Sequence, residues 1–258
     1  MFFDYGHGST LSITGIGLPW TIIYSSPILL PMGKASDYWD NSYENNAFSK
    51  GKGPDPFVEK FLPRLQKGKL LEIGMGEGQN AVFCAQKGFE VRGFDISQVA
   101  VDRANELASS SNVKAQLEKA DLDLFILGLM EYDSILMMNF KPPVKRYYSE
   151  IIRALKQGGT LLVKSLMDAE MTEAIGPDEA YRNYFFHTNE LLKNISGLRI
   201  LYYNEDKVDG KKVIECLAQK PMDRDAAKYN LFNMQSEGSK DAGQSKQREL
   251  AEALFKKD

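Results

Sequence analysis

The chain is poor in the residues that build metal and redox sites. Its 258 residues include two cysteines and two histidines, and neither His7 nor His187 has a cysteine or carboxylate partner at ligand spacing, so no metal site is expected. Cys84 falls inside a helical pattern and Cys216 inside a strand pattern, where each reads as a small buried apolar residue of a reducing compartment. A basic face is missing too. The formal net charge is −3 and the sequence pI is about 5.6, which argues against a sequence-independent grip on nucleic acid, because phosphate neutralisation needs clustered Lys and Arg. Small-molecule chemistry is favoured, and no nucleic-acid partner is expected. Long apolar runs are also lacking. Leu11 to Pro31 is broken by Gly15, Gly17, Pro19, Pro27 and Pro31, whereas a spanning helix needs about 20 largely uninterrupted apolar residues. Before it stand Asp4 and His7 but none of the Lys or Arg of a secretory n-region. The expectation is a cytoplasmic protein with no membrane partner, and residues 1–33 read as a loosely ordered extension.

What the chain does have is concentrated between Leu70 and Gly78. A hydrophobic run ends in Glu72, and glycines recur at Gly74, Gly76 and Gly78, the pattern of a strand leaving a sheet into a turn that no side chain crowds. A helix is predicted from Asn80 to Lys87, with Ala81, Cys84 and Ala85 on one face and Gly88 as its stop. Strand, glycine turn and helix start make a cradle for a nucleotide-type ligand. Phe89 to Phe94 reads as the next strand and ends at Asp95, about 20 residues beyond the first glycine, the interval at which an acid reaches a ribose hydroxyl pair. Asp95 could instead be a helix N-terminal acid, but Ser97 is the better cap for the helix carrying Val101, Ala104, Leu107 and Ala108.

Further along, alternating patterns predict a strand over 113–117, a buried central strand over Tyr132 to Met138, a helix starting at Pro142-Pro143 and ended by Gly158-Gly159, and a strand from Thr160 to Leu166. Asp121 follows the third strand as either an adenine contact or a solvated-loop acid. Asn139 ends the fourth strand and should face the crevice where ligands of open α/β sheets bind. Two late strands, 198–203 and 212–218, join through Asp209-Gly210, a hairpin signal. Three segments have open readings. Asp37 to Lys50 is a polar, turn-rich arm bearing Tyr38, Trp39, Tyr43 and Phe48, either a lid or an arm packed on the core. Residues 167–186 are an aromatic and methionine-rich stretch, either a substrate cover or packing under a loop. His187 is a general base or a surface or capping residue at a helix start. Pro56 to Leu65 reads as one short amphipathic helix. The domain is placed at 34–220, and 221–258 reads as a charged tail, disordered apart from a possible short helix presenting Leu250, Leu254 and Phe255.

Taken together the fold class is α/β, a doubly wound sheet closed by an antiparallel hairpin. These residues resemble the class I S-adenosylmethionine-dependent methyltransferases. Glu72-Ile-Gly-Met-Gly-Glu-Gly78 is similar to the family's first motif, Asp95 to its ribose acid, Asp121-Leu122 to its adenine-side motif, 132–139 to its fourth-strand motif and 155–163 to its approach to the fifth strand. The nearest likeness is to the small bacterial tellurite-resistance-type methyltransferases, through Tyr38-Trp-Asp-Asn-Ser-Tyr43, Pro54-Asp-Pro-Phe57 and Tyr203-Asn-Glu-Asp206. The resemblance implies a Rossmann-like, mostly parallel seven-stranded sheet and S-adenosylmethionine as cofactor. The residues it assigns to the cofactor are Trp39, Glu72, Gly74, Met75, Gly76, Gly78, Asp95, Ile96, Asp121, Leu122 and Met138. It assigns no catalytic residue; Asn139 and His187 are candidates only from their own positions in the chain. It further implies methyl transfer to a small-molecule acceptor that the chain does not identify, and leaves oligomeric state open. Two departures stand out. Asn41-Ser42 replaces the family's Glu-Arg, and Phe140-Lys-Pro-Pro143 replaces its His-Leu-Pro-Pro. A non-catalytic cofactor-binding regulator or scaffold of the same fold is the alternative. A nicotinamide dehydrogenase is disfavoured because Gln79 stands where its fingerprint needs glycine.

Overall fold

A computed structural model describes residues 32–49, 51–168 and 184–222. The extension before Met32, most of the aromatic stretch after Asp168 and the charged tail lie outside the described residues. Helix α1 (Met32–Asn45) and helix α2 (Pro56–Phe61) precede β1 (Lys69–Ile73). Then come α3 (Gln79–Gln86), β2 (Glu90–Asp95), α4 (Gln98–Ser110), β3 (Gln116–Lys119), β4 (Tyr132–Met138), α5 (Arg146–Ala154), β5 (Leu155–Leu166), α6 (Glu190–Asn194), β6 (Arg199–Val208) and β7 (Lys211–Gln219). The strands form one seven-stranded sheet in the order β3-β2-β1-β4-β5-β7-β6. All pairs are parallel except those of β7, which runs antiparallel to both β5 and β6.

Why the middle strands are continuously apolar is clear from their neighbours. Alternate side chains of a strand point to opposite faces, and both faces of this sheet are covered. Leu71, Ile73, Ile135, Met137, Leu161 and Val163 join Tyr147 and Ile151 of α5 in one core. Leu70, Leu136, Leu162 and Leu217 join Phe57, Ala81 and Val101 on the other side. Cys84 and Cys216 are buried thiols within these cores. Ser97 caps α4 as predicted, its Oγ accepting the Ala100 N–H at 3.2 Å. Asp209 and Gly210 both have positive φ, 51° and 81°, the backbone of a two-residue hairpin whose twist matches its strands.

The sequence-based elements shift in five places. The turn-rich arm is a helix, α1, reaching Asn45. The helix after Pro56 stops at Phe61 and tightens into a 3₁₀ turn over Leu62–Arg64, where Pro63 supplies no N–H to continue α-helical bonding. β3 lies at Gln116–Lys119, later than the apolar pattern indicated, because it is an edge strand with Leu117 alone buried. Helix α5 starts at Arg146, beyond Pro142 and Pro143, and ends at Ala154. Gly158 and Gly159 sit in an irregularity of β5, where pairing jumps from Tyr132–Leu155 to Ser134–Thr160. Among the described residues no helix is long and apolar enough to cross a membrane.

Gly78 shows how tightly the glycine turn is set into this frame. It has φ +80°, and a Cβ there would lie 2.7 Å from the Ala104 Cβ of α4. Gly78→Ala is therefore expected to lower folding stability by about 3 kcal/mol through left-handed strain plus overpacking. Thermal denaturation checks it, with Gly51→Ala, at φ +82° in open space, as the comparison that isolates the backbone part.

Candidate functional site

In a sheet of this order the strand connections reverse direction between β1 and β4, and ligands of open α/β sheets bind at that switch point, beyond the strands' carboxyl ends. The 74–78 turn occupies that position. Gly74, Gly76 and Gly78 all have positive φ, and a Cβ on Gly74 or Gly76 would meet the Phe140 ring at 2.6 Å or the Tyr43 hydroxyl at 2.8 Å. The backbone of this turn is thus faced by two aromatic side chains from elsewhere in the chain.

Asp95, at the end of β2, is buried beside the turn. Its Oδ2 accepts the Gly76 N–H at 2.8 Å and its Oδ1 the Ser97 N–H at 2.9 Å. Burial raises its pKa above the usual carboxylate range, against the lowering pull of the Ser97 and Gly76 N–H groups. An aspartate carboxylate offers about four lone-pair sites, so acceptor capacity remains for hydroxyl donors.

Glu72 ends β1 beneath the turn and is 1% exposed. Its Oε1 accepts from Asn80 Nδ2 at 2.9 Å, while Oε2 is buried without a hydrogen-bond partner among the described residues. Burial pushes its pKa up to about 8, with hydrogen bonds from Asn80 and the Ala81 N–H opposing. An orphaned carboxyl oxygen of this kind is costly. It is the feature most readily explained by a cationic ligand group.

The remaining residues named from the sequence are distributed as follows. Met75 and Met138 are both buried in the apolar core, and Met75 packs on Gly93 of β2, so Met75 can offer a ligand only its backbone. Ile96 is half-buried and its carbonyl accepts from Ser36 of α1. Trp39 is half-buried on α1, its ring centroid 6.1 Å from that of Tyr43 and 5.7 Å from that of Tyr184. Asp121 is half-buried and closes its own turn, Oδ1 accepting the Asp123 N–H at 2.9 Å; Leu122 is core. Asn139 is exposed at the end of β4 with φ 54°. His187 is exposed, its Nδ1 2.8 Å from Asp168 Oδ2 and its N–H donated to Glu190 Oε2.

Several residues at this site were not among the site candidates read from the sequence. Tyr43, named there only as an aromatic of the arm, is the clearest, because burial and then the negative charge of Asp95, Glu77 and Glu72 raise its pKa, which sets its hydroxyl near three acids. Glu77, in the turn itself, is buried and paired with Arg103 at 2.9 Å. Lys141 is buried and donates to the Phe185 carbonyl and to Glu190 Oε2, each at 2.8 Å, tying the segment after β4 to the one around His187. The available signals were the acid inside the glycine turn and the aromatics of the 37–50 arm; Arg103 lies in the α4 pattern with nothing to mark it.

Comparison with known proteins agrees with this geometry. Residues 70–159 match the family model described as a methyltransferase domain. The chain is 28% identical over 131 residues to the protein YqeM of Bacillus subtilis (strain 168), covering 48% of this chain and 52% of that one. It is 26% identical over 129 residues to the ribosomal protein L11 methyltransferase of Dictyoglomus thermophilum, covering 48% and 42%. The match thus spans about half the length of these curated relatives. Among solved structures, TehB from Haemophilus influenzae has a similar fold, with TM-score 0.55 and 21% identity over 72% of this chain and 66% of that one. Glycine turn, sheet order and domain match converge on the same stretch: residues 70–159 match the methyltransferase-domain model, within a fold similar to that of TehB.

Proposed function

We propose that the protein transfers the methyl group of S-adenosylmethionine to a small-molecule acceptor. The observation that carries this reading is the trio at the sheet's switch point: a glycine turn of left-handed backbone, a buried Asp95 with acceptor capacity left over, and the unpartnered oxygen of Glu72. These fit the cofactor's chemistry. Asp95 would accept the ribose hydroxyls, the 74–78 backbone would lie along the ligand, and Glu72 would face the methionine ammonium group. When bound, the cofactor supplies an activated methyl on a sulfonium. The protein's part is then to bind, align and exclude water, and alignment alone is worth up to roughly 7–11 kcal/mol in favourable cases. For an acceptor that must lose a proton, His187, held by Asp168, would be the candidate base.

A small acceptor is favoured over nucleic acid by the net charge of −3. The relative that acts on ribosomal protein L11 keeps a protein acceptor within the test. One observation supports a second reading, a non-catalytic cofactor-binding scaffold. Leu124, Ile126, Leu129 and Met130 are exposed together on the loop between β3 and β4, and clustered exposed apolar side chains mark partner surfaces. Incubation with methyl-labelled S-adenosylmethionine and a panel of thiols, phenols, chalcogen oxyanions and ribosomal protein separates the readings. Label transfer to a small compound is the expected result; cofactor binding with no transfer to any acceptor would favour the scaffold.

A further inference from the structure

Helix α1 covers the glycine turn, yet none of its side chains from residue 35 onward belongs to the apolar core. It is attached mainly by polar contacts, with the half-buried Trp39 ring edge-on to Tyr184. Ser36 Oγ donates to the Ile96 carbonyl at 3.1 Å. Asp40 Oδ1 accepts from Ser97 Oγ at 2.5 Å and from the Val99 N–H at 3.2 Å, so this carboxylate sits on the N-terminal turn of α4. At the other end of α1, one guanidinium nitrogen of Arg103 donates to the Tyr43 carbonyl at 2.6 Å and to Glu77 Oε1 at 2.9 Å. The Glu77 carboxylate also accepts the Phe48 N–H, at 2.9 and 2.8 Å to its two oxygens. Arg103 and Glu77 thus join the end of α1 and the turn after it to the glycine turn and to α4, segments far apart in sequence.

We propose that α1 is a detachable cover over the cofactor site and that Arg103 is the positioning residue that latches it. This rests on the methyltransferase reading given above. An element held mainly by hydrogen bonds, with half-buried aromatics but no core residue, can lift without opening the core, and it belongs to the low-stability end of a fold. It also has to lift. The Tyr43 hydroxyl lies 2.8 Å from where a Cβ of Gly76 would stand, against the very backbone that the glycines keep clear, so a ligand lying along 74–78 must first displace it. Closing α1 again over the bound ligand returns Tyr43 to the acid-lined mouth and re-forms the Arg103 bridge. Because Arg103 bonds a backbone carbonyl of α1 and a carboxylate of the turn with the same nitrogen, its loss unfastens the cover without removing any group that would touch the cofactor.

The test uses the full chain and S-adenosylhomocysteine as the probe. In Arg103→Gln the dissociation rate measured by stopped flow is expected to rise about tenfold or more, as for loss of a charged hydrogen-bond pair. Amide exchange across 35–45 should accelerate while β1 and β4 stay protected. A dissociation rate and α1 exchange equal to wild type would overturn the latch. Should the variant unfold, wild-type exchange decides the matter: α1 amides exchanging in the free protein as slowly as those of β1 and β4 would overturn the cover, and faster exchange that slows on adding the probe supports it. Failure of the wild type to bind the probe in calorimetry would instead sink the methyltransferase reading, and free-protein exchange would still judge the cover.

Discussion

Asp95→Ala should weaken S-adenosylmethionine binding by on the order of a hundredfold or more, since it removes a charged acceptor for two hydroxyl donors in a site screened from water. It should also lower stability, because the Gly76 and Ser97 N–H groups lose the acceptors they meet at 2.8 and 2.9 Å. The two effects are separable. Asp95→Asn keeps the shape and one acceptor oxygen, so it should fold closer to wild type while still binding the cofactor at least about tenfold more weakly. Calorimetric titration with S-adenosylhomocysteine, alongside thermal denaturation, measures both. Wild-type affinity in a folded Asp95→Ala protein would remove Asp95 from the site.

Glu72 gives the second large effect, and it is one of pH. Its pKa in the free protein is pushed up to about 8 from an ordinary 4.5 by burial. For an acid raised in the folded state, the unfolded chain ionises first. The associated stability is fully present below about pH 4.5 and is lost as pH rises through 8, on the order of 5 kcal/mol in all. Glu72→Gln should abolish that loss, so the variant should melt higher than wild type above pH 8 and not at pH 5. A cationic ammonium placed against the orphaned Oε2 favours the carboxylate and lowers the pKa again. Cofactor binding near neutral pH should therefore expel close to one proton, read as a binding enthalpy that changes with the ionisation enthalpy of the buffer. Glu72→Gln should bind more weakly and release none. A wild-type enthalpy independent of buffer would show that Glu72 does not face a cation.

The two acids were legible because local chemistry placed them. A carboxylate two residues before a glycine turn, and another some twenty residues on at the end of the next strand, are consequences of short strand-turn-helix units whose geometry is set by nearby residues. The same holds for Ser97 at the start of α4 and for Asp209-Gly210 at the hairpin. The apolar runs of β4 and β5 announced a sheet covered on both faces. Where the reading drifted, the cause was long-range. Residues 37–50 are polar with scattered aromatics, and the part up to Asn45 lies in α1, where Ser36, Asp40 and the Tyr43 carbonyl find partners in Ile96, Ser97, Val99 and Arg103, some sixty positions away. Gly158-Gly159 looked like a helix stop and instead allows β5 to re-register against β4.

The sequence by itself determined the sheet, the turn and the acids that flank it, since each follows from periodicity and spacing within a few dozen residues. Only the tertiary structure decided what stands over that turn. Tyr43 above Gly76, Phe140 above Gly74, Glu77 paired with Arg103, and Lys141 joined to Glu190 are contacts between segments that have no local reason to meet. Packing brings them together, because the connections leaving the carboxyl ends of β1, β2, β4 and β5 must all pass over the same edge of the sheet, and the glycines there leave room for whatever side chains arrive.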